Sequence, residues 1–487
     1  MLETDRFTLK LCLTLAESSA VALEKQLDRF AGRVPLIELR LDHLQEKRLP
    51  RIPGDGETRV IATCRPIREG GVFAGGEAER LELLNQAAKA GCQWVDLESD
   101  APGSIEFGAQ TRIIRSKHLF DYFPESLDRV WNDLLDAPGD AYKLAVRVDT
   151  TRQLVELLSW MENLPPSPPF VVVGMGAFGQ LSRFLGPFLG SLWTYASIDG
   201  EFAPGQLSLE QACNVFRLQE RPQRTALYGV IGNPVAHSLS PLLHNRLFET
   251  YRHEGLYLPT HLDELEPWFE FLERTRLEFR GFSVTIPYKS RVSAFLSRTD
   301  ASAASVNTLQ RTDAGWEGTN TDRAGFLIPL RKRLRLQGRS VVLLGYGGAA
   351  RSVATTLVEQ GCRVTVVGRD ARKSSAFAEQ FKIASAPISD SPEADICVNA
   401  TPVGQIPDVD VTPLPAERLK FRLVYDLVYN PEETRLLREA RRQGIECISG
   451  MEMFVEQAAL QFKCWTGINP DRDGMLNVLR DRSGFLQ

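Results

Sequence analysis

Residues 341–351 read VVLLGYGGAAR. Four apolar residues have the pattern of a buried strand, and Gly345-x-Gly347-x-x-Ala350 then opens a helix. Glycines at this spacing mean little alone; between a strand and a helix they form the phosphate cradle of a dinucleotide-binding sheet. Backbone N–H groups can approach a pyrophosphate there, and the helix N-terminus adds partial positive charge. The next strand of this unit ends in CRVTVVGRDARK (362–373). An NAD site wants an acid here for the ribose 2′-hydroxyl. The chain offers Arg369, Arg372 and Lys373 instead, which favours the 2′-phosphate of NADP(H). Asp370, among them, brings a negative charge that opposes phosphate binding.

Upstream, residues 228–245 read YGVIGNPVAHSLSPLLHN. A strand breaks at Gly232-Asn233-Pro234, and a turn carrying Ser238 and Ser240 leads to Pro241, which suits the first turn of a helix. The two serines are either a decorated helix cap or a grip on a small polyhydroxy ligand. Residues 281–289, GFSVTIPYK, form a strand stopped at Pro287 with Lys289 just beyond. Residues 318–325, GTNTDRAG, place Asp322 at a helix start. Lys289 and Asp322 are either a surface ion pair or a proton-donating pair for ketone reduction.

Together with NATPVG (399–404), DLVYNPEET (426–434) and GMEMFVEQAALQFKCW (450–465), these segments make residues 225 to 487 resemble shikimate dehydrogenase. The resemblance implies Lys289 and Asp322 as the catalytic pair. It implies Ser238, Ser240, Thr285, Asn307, Tyr429 and Gln457 as substrate ligands. Cofactor contacts would come from Gly345, Tyr346, Gly347, Gly348, Ala349, Arg369, Lys373, Leu427 and Gly450. Three positions depart from the family pattern: Ser283 for the usual asparagine, Asp370 for threonine, and Tyr346 for a small residue.

At 487 residues the chain exceeds one ordinary domain. Its 43% hydrophobic and 24% charged content is that of a soluble globular protein. A formal net charge of −5 gives no electrostatic ground for binding nucleic acid or an anionic membrane. No apolar run approaches the roughly 18 residues of a bilayer span. The opening MLETDRFTLKLCLTL is neither a secretory signal nor an Arg-rich transit peptide. Eight cysteines without a CxxC argue against structural zinc and for reduced, cytoplasmic thiols. The polar LQERPQRT (218–225) marks the main boundary, crossed by little core. The basic RKRLRLQGR (331–339) marks a second, as the solvated end of a helix rather than a nucleic-acid patch. PPSPP (165–169) is a stiff loop ahead of a strand.

The first half carries strand patterns at 7–13, 35–41, 59–63, 93–97, 111–115, 142–148, 170–174 and 190–195, most separated by helix-like stretches. Eight such repeats predict a TIM barrel, in which chemistry gathers at the strands' C-terminal ends. Strand 35–41, PLIELRL, puts Glu38 and Arg40 on one inward face, either as a buried salt bridge or as part of a site. TCRPIREGG (63–71) places Arg65 and Glu69 at the next strand's end. Strand 111–115 leads to Ser116 and His118. In YKLAVRV (142–148), Lys143 shares a face with Ala145 inside an apolar strand. Burying an ammonium is costly, so a depressed pKa and a nucleophilic amine are expected. Lys117, a rival amine, is expected at an exposed strand end, pointing away from His118. His43 is expected merely to cap or solvate its strand.

With VGMGAFGQLSR (173–183), GSLWTYA (190–196) and APGQ (203–206), residues 7–206 resemble type I 3-dehydroquinate dehydratase. The resemblance implies Lys143 as the Schiff-base former, His118 as general base and acid, and Glu69 as its orienting partner. It assigns Glu38, Arg40, Arg65, Arg183 and Gln206 to substrate. Phe202 departs from the family's serine, and SKHLFDYFPE matches the histidine motif loosely. The expected fold class is therefore α/β: a barrel over 1–218, then a two-lobed reductase over 225–487. Its substrate lobe spans 225–330 plus 452–487, and a Rossmann-type lobe spans 338–450. The implied chemistry is dehydration of 3-dehydroquinate followed by NADPH reduction of 3-dehydroshikimate to shikimate. The alternatives are a quinate enzyme using NAD and a metabolite-sensing regulator with inactive domains; an aldolase-type barrel is a rival for the first half alone.

Overall fold

Eight short strands pair in parallel in the first half: β1 (Leu11–Leu15), β2 (Leu36–Arg40), β3 (Arg59–Thr63), β4 (Trp94–Glu98), β5 (Arg112–Leu119), β6 (Ala141–Arg147), β7 (Phe170–Met175) and β8 (Thr194–Ser197). The computed structural model describes residues 11–46, 48–53, 57–102, 107–108, 110–198, 204–218, 225–299, 305–390 and 392–481. Within these, one compact unit extends to Phe295 and a second spans Leu296–Asp481. Strands β1 to β7 follow one another in order, β8 returns to pair with β1, and the short β9 (Leu207–Ser208) pairs with β8. At the seam, the Leu192 N–H donates to the Phe170 carbonyl at 2.8 Å. This is a TIM-type barrel.

Helices α1 (Ala20–Phe30), α2 (Glu77–Lys89), α3 (Leu127–Leu135), α4 (Thr151–Asn163) and α5 (Gly176–Leu185) pack outside it. In α1, Leu23, Leu27 and Phe30 recur at helical spacing and are buried, while Ser19 caps the start by accepting from the Ala22 N–H. Among the described residues between β2 and β3 there is a single helical turn, Leu41–His43. Strand β5 runs on past the expected 115 and includes Ser116, Lys117 and His118. Strand β8 begins later than expected because Gly186–Leu189 forms a turn closed by Gly190 at φ 102°. In the cleft between β7 and α5, Gly174 and Gly179 nearly touch. A Cβ on Gly179 would stand 2.4 Å from the Gly174 carbonyl carbon.

The same unit continues with a parallel trio, β10 (Ala226–Gly232) between β11 (Gly255–His261) and β12 (Phe279–Val284), and helices α6 (Ser240–Thr250) and α7 (Glu266–Arg274). This lobe docks on the barrel through more than the 218–225 segment. The Phe178 ring meets the His261 ring edge-on at 4.6 Å. Arg152 forks onto Glu264, and Glu162 accepts from the Thr275 hydroxyl at 2.5 Å. The sequence pattern had not predicted this contact, because docking faces between elements carry no periodicity of their own.

The second unit holds β13 (Arg298–Thr299), the antiparallel pair β14 (Thr308–Thr312) and β15 (Gly315–Thr319), and α8 (Thr321–Arg333). Six further strands are all parallel: β16 (Ser340–Leu344), β17 (Arg363–Gly368), β18 (Ala384–Pro387), β19 (Ile396–Asn399), β20 (Leu423–Asp426) and β21 (Glu446–Ile448). Their spatial order, β18-β17-β16-β19-β20-β21, is that of a Rossmann sheet. Helices α9 (Gly348–Glu359), α10 (Ala371–Phe381) and α11 (Arg435–Arg442) flank it; α12 (Gly450–Thr466) packs on α8, and α13 (Arg472–Arg480) follows. The basic run ends α8 as expected: Lys332 pairs with Glu456 and Arg333 with Glu452. Among the described residues no helix is long and apolar enough to cross a membrane.

Candidate active sites

Inside the barrel, strand alternation turns polar from one layer to the next. Cys12, Leu36, Ile61, Trp94, Ile114, Ala141 and Val171 form an apolar floor. Two residues further along six of these strands stand Thr14, Glu38, Thr63, Asp96, Ser116 and Lys143, all buried. Above them a cavity open to solvent is lined by Glu38, Arg40, Arg65, Glu69, His118, Lys143, Arg183 and Gln206, with Tyr195 on one wall. Every barrel residue expected to act on substrate thus reaches one cavity. Phe202 lies outside the described residues.

Lys143 Nζ sits 3.0 Å from Asp96 Oδ2 and 3.6 Å from Glu38 Oε1, and 4.4 Å above the centre of the Tyr195 ring. Two carboxylates therefore accommodate the buried amine, an arrangement not expected from Lys143's strand alone. Burial alone would raise Asp96, but Arg65 and Lys143 hold it well below the usual carboxylate range. Arg65 is gripped by Asp96 at 2.8 Å and Glu98 at 2.6 Å, and it donates to the Ser116 hydroxyl. Of the two readings of Glu38 and Arg40, the salt bridge between them does not form. Arg40 forks onto Asp42, which the turn after β2 brings back beside it, and Glu38 accepts from the Thr14 and Thr63 hydroxyls.

Glu69 ends a short turn after β3 and lies against β5. Its Oε2 is 2.9 Å from His118 Nδ1 and accepts from the His118 backbone N–H at 3.2 Å. Its Oε1 accepts from Lys117 Nζ at 3.3 Å. Lys117 is therefore neither at a strand end nor turned away from the histidine's partner, because β5 continues to Leu119 and Glu69 spans its edge. Burial, then the charges of Arg65 and Lys143, keep the His118 imidazole well below its ordinary pKa. Burial lifts Glu69 to about 7 against the pull of Arg65 and Lys117. At neutral pH the imidazole is uncharged and able to accept a proton. Arg183 donates to the Pro204 carbonyl at 3.2 Å, and Gln206 donates to Thr14. His43 lies beside Asp42, 3.8 Å away.

The second-half candidates fall on both units. In the first, Ser240 opens α6 and its N–H donates to the Ser238 hydroxyl at 3.3 Å. The Tyr257 hydroxyl donates to Ser283 at 2.6 Å, so the departing serine keeps a buried partner. Thr285 and the half-buried Lys289 follow β12. In the second unit, Asn320 caps α8, and Asp322 in its first turn accepts from Asn307 Nδ2 at 2.8 Å. Gln457 donates to the Phe454 carbonyl, and Tyr429 stacks on Phe454 at 5.3 Å.

At the glycine turn, Gly345 adopts φ 100°, a conformation that favours glycine. A Cβ on Gly347 or Gly348 would meet nothing, and α9 begins there without a side-chain cap. Open space in front of uncapped helix N–H groups, with Ala349 in the same turn, fits a pyrophosphate. Tyr346 lies against Gly368 at the end of β17, beside the exposed Arg369, Arg372 and Lys373. Asp370 caps α10, accepting from the Arg372 and Lys373 N–H groups, so its charge is turned into the helix. Gly450 packs on the Leu427 carbonyl.

Both halves of the chain are similar to known proteins. A type I 3-dehydroquinase model matches residues 11–222. Models of the shikimate dehydrogenase substrate-binding domain, of shikimate/quinate 5-dehydrogenase and of the shikimate 5′-dehydrogenase C-terminal domain match 230–309, 330–411 and 450–480. A chloroplastic bifunctional 3-dehydroquinate dehydratase/shikimate dehydrogenase of Arabidopsis thaliana is 31% identical over 89% of this chain and 78% of its own length. The chain belongs to the bifunctional 3-dehydroquinate dehydratase/shikimate dehydrogenase family. A shikimate biosynthesis protein AroDE of Chlamydia pneumoniae is 28% identical over 93% of this chain and 95% of its own. A shikimate dehydrogenase (NADP(+)) of Bacillus licheniformis is 38% identical over 53% of this chain and 98% of its own.

Two residues of the dehydratase barrel were missed from sequence. Asp96, in WVDLE, shares a face with Trp94 inside an apolar strand, the same signal that singled out Lys143. Tyr195 sits in GSLWTYA, where an aromatic in a strand reads as core.

Proposed function

We propose that this bifunctional enzyme dehydrates 3-dehydroquinate at Lys143 and His118, and reduces the resulting 3-dehydroshikimate to shikimate with NADPH at Lys289 and Asp322. The observation that carries the first half is that a buried amine and an uncharged imidazole, on adjacent strands β6 and β5, face one cavity. The Lys143 amine adds to the substrate ketone and water leaves, giving a protonated imine. That cation withdraws electrons and acidifies the neighbouring C–H, so the His118 imidazole can remove the proton. The C–O electrons then leave with the hydroxyl, which takes the proton back from His118 and departs as water. A second water hydrolyses the imine. Glu69 fixes the imidazole's orientation, and Arg183, with Arg40, Arg65, Glu38 and Gln206, would hold the substrate's carboxylate and hydroxyls.

For reduction, the residues of the glycine turn would hold the cofactor's pyrophosphate, and Arg369 with Lys373 its 2′-phosphate; when bound, NADPH supplies the hydride. Lys289 protonates the developing alkoxide and Asp322 orients it, while Ser238, Ser240, Thr285, Asn307, Tyr429 and Gln457 bind the substrate. The carboxylate of Asp370 is engaged as the cap of α10, which lessens the objection to a phosphate there and supports NADPH over NADH. Retention of Lys143, His118, Lys289 and Asp322 favours an enzyme over a regulator. Eight free cysteines suit a reducing compartment, and the cytoplasm is the proposed location. The test is to supply 3-dehydroquinate with NADPH or NADH and identify the products. Shikimate formation with NADPH is expected; failure to pass 3-dehydroquinate on to 3-dehydroshikimate would overturn the reading.

A further inference from the structure

Behind Glu69, beside the dehydratase cavity, stands a cation that the proposed chemistry does not use, Lys117. Lys117 and His118 are consecutive residues of β5, and consecutive strand side chains ordinarily face opposite ways. Here both reach Glu69: Lys117 Nζ takes Oε1 at 3.3 Å, and His118 takes Oε2 through its ring and its backbone N–H. The turn that carries Glu69 is pressed against the same strand. Phe120 stacks on the His118 ring at 6.0 Å, and a Cβ on Gly70 would stand 2.3 Å from the Phe120 ring.

We propose that Lys117 is a positioning residue for the dehydration, holding Glu69 ionised so that it accepts a proton-bearing Nδ1 and leaves His118 Nε2 as the base. This rests on the reading of His118 as the proton carrier. The ionised carboxylate can only accept, which places the imidazole proton on Nδ1. A protonated Glu69 can donate its O–H to Nδ1, which moves the ring proton to Nε2 and removes the lone pair from the cavity side.

The balance between these two states is close. The Glu69 side chain is only 3% exposed, and burial favours the neutral acid. The charged groups that face it are Arg65, Lys117 and Glu98, and the titratable neighbour is the His118 imidazole. Arg65 is already engaged by Asp96 and Glu98, and Glu98 repels a second anion. Lys117 is the cation in direct contact with the carboxylate, and even with it in place Glu69 is lifted to about 7. Removing the ammonium raises that value further, so the active form is reached only at higher pH.

The test uses the full chain with Lys117→Met, Lys117→Gln and Lys117→Arg, and follows dehydration kcat/KM against pH. Met and Gln should move the acid limb up by about one pH unit, the low end of a neighbouring-charge effect, with activity regained on the alkaline side. Arg should keep the limb in place. An unmoved limb in both Met and Gln, or a loss equal at every pH, overturns the proposal. His118→Gln is assayed alongside. If it dehydrates normally, the proton-carrier reading fails and this proposal with it; if it is inactive while the limb stays put, this proposal alone fails.

Discussion

Thr151 and Asp263 bond reciprocally. The Thr151 N–H and hydroxyl both donate to Asp263 Oδ1, at 2.8 and 2.6 Å, and the Asp263 N–H returns a bond to the Thr151 oxygen at 2.9 Å. Thr151 opens α4, the helix that follows the Lys143 strand, and Asp263 precedes α7 in the lobe that carries Ser238, Ser240 and Lys289. An acid from one catalytic half thus satisfies the helix N-terminus of the other.

Asp263→Ala should therefore lower stability by about 1–2 kcal/mol, the usual worth of a lost helix cap. Urea unfolding monitored by tryptophan fluorescence measures it. A midpoint equal to the parent's would show that the contact contributes nothing.

Trapping should separate the two amines. Borohydride with 3-dehydroquinate is expected to add substrate mass to the peptide containing Lys143, and Lys143→Ala should abolish the adduct. Mass mapped to Lys117 would contradict the assignment.

Asp96→Asn leaves Arg65 and Lys143 short of a buried counter-charge. A loss of about 3–5 kcal/mol is expected, as for other broken buried pairs. Because the folded state holds Asp96 below its ordinary value, its contribution is present above about pH 4 and is lost as pH falls through the depressed folded value. Acid unfolding curves of the parent and the variant should accordingly converge at the lowest pH; parallel curves throughout would refute the linkage.

Arg369→Ala should raise the Michaelis constant for NADPH by about ten-fold or more, the worth of one charge-assisted bond, while leaving that for NADH nearly unchanged. Equal changes for the two cofactors would mean that Arg369 does not read the 2′-phosphate.

Much of this was legible in residue order. Strand periodicity located the barrel strands, singled out Lys143 inside an apolar one and set His118 just beyond the end of another, and the glycine turn located β16 and α9. Other features depended on information that periodicity does not carry. Arg40 turned to Asp42 because β2 stops one residue earlier than its apolar run, and a tight turn follows. Lys117 met Glu69 because a strand's length decides which neighbours a turn can reach. The Thr151–Asp263 contact joins positions remote in sequence, and neither carries a mark of the other.

The near-contact of Gly174 and Gly179 limits how this barrel can vary. Gly174 donates its N–H to the Ser182 hydroxyl at 2.7 Å, and that hydroxyl in turn bonds the Gly179 carbonyl, so strand and helix are fastened where they have no side chains to separate them. Arg183 is the next residue of α5, and its reach into the cavity is set by that spacing. A methyl group on either glycine would meet backbone, which cannot swing aside, and would push the helix outward. A displacement of about 1 Å can cost a hundred-fold in rate. The two positions are thus open to a larger residue only if strand and helix change together, and a substitution chosen to stiffen the helix would be felt first where Arg183 enters the cavity.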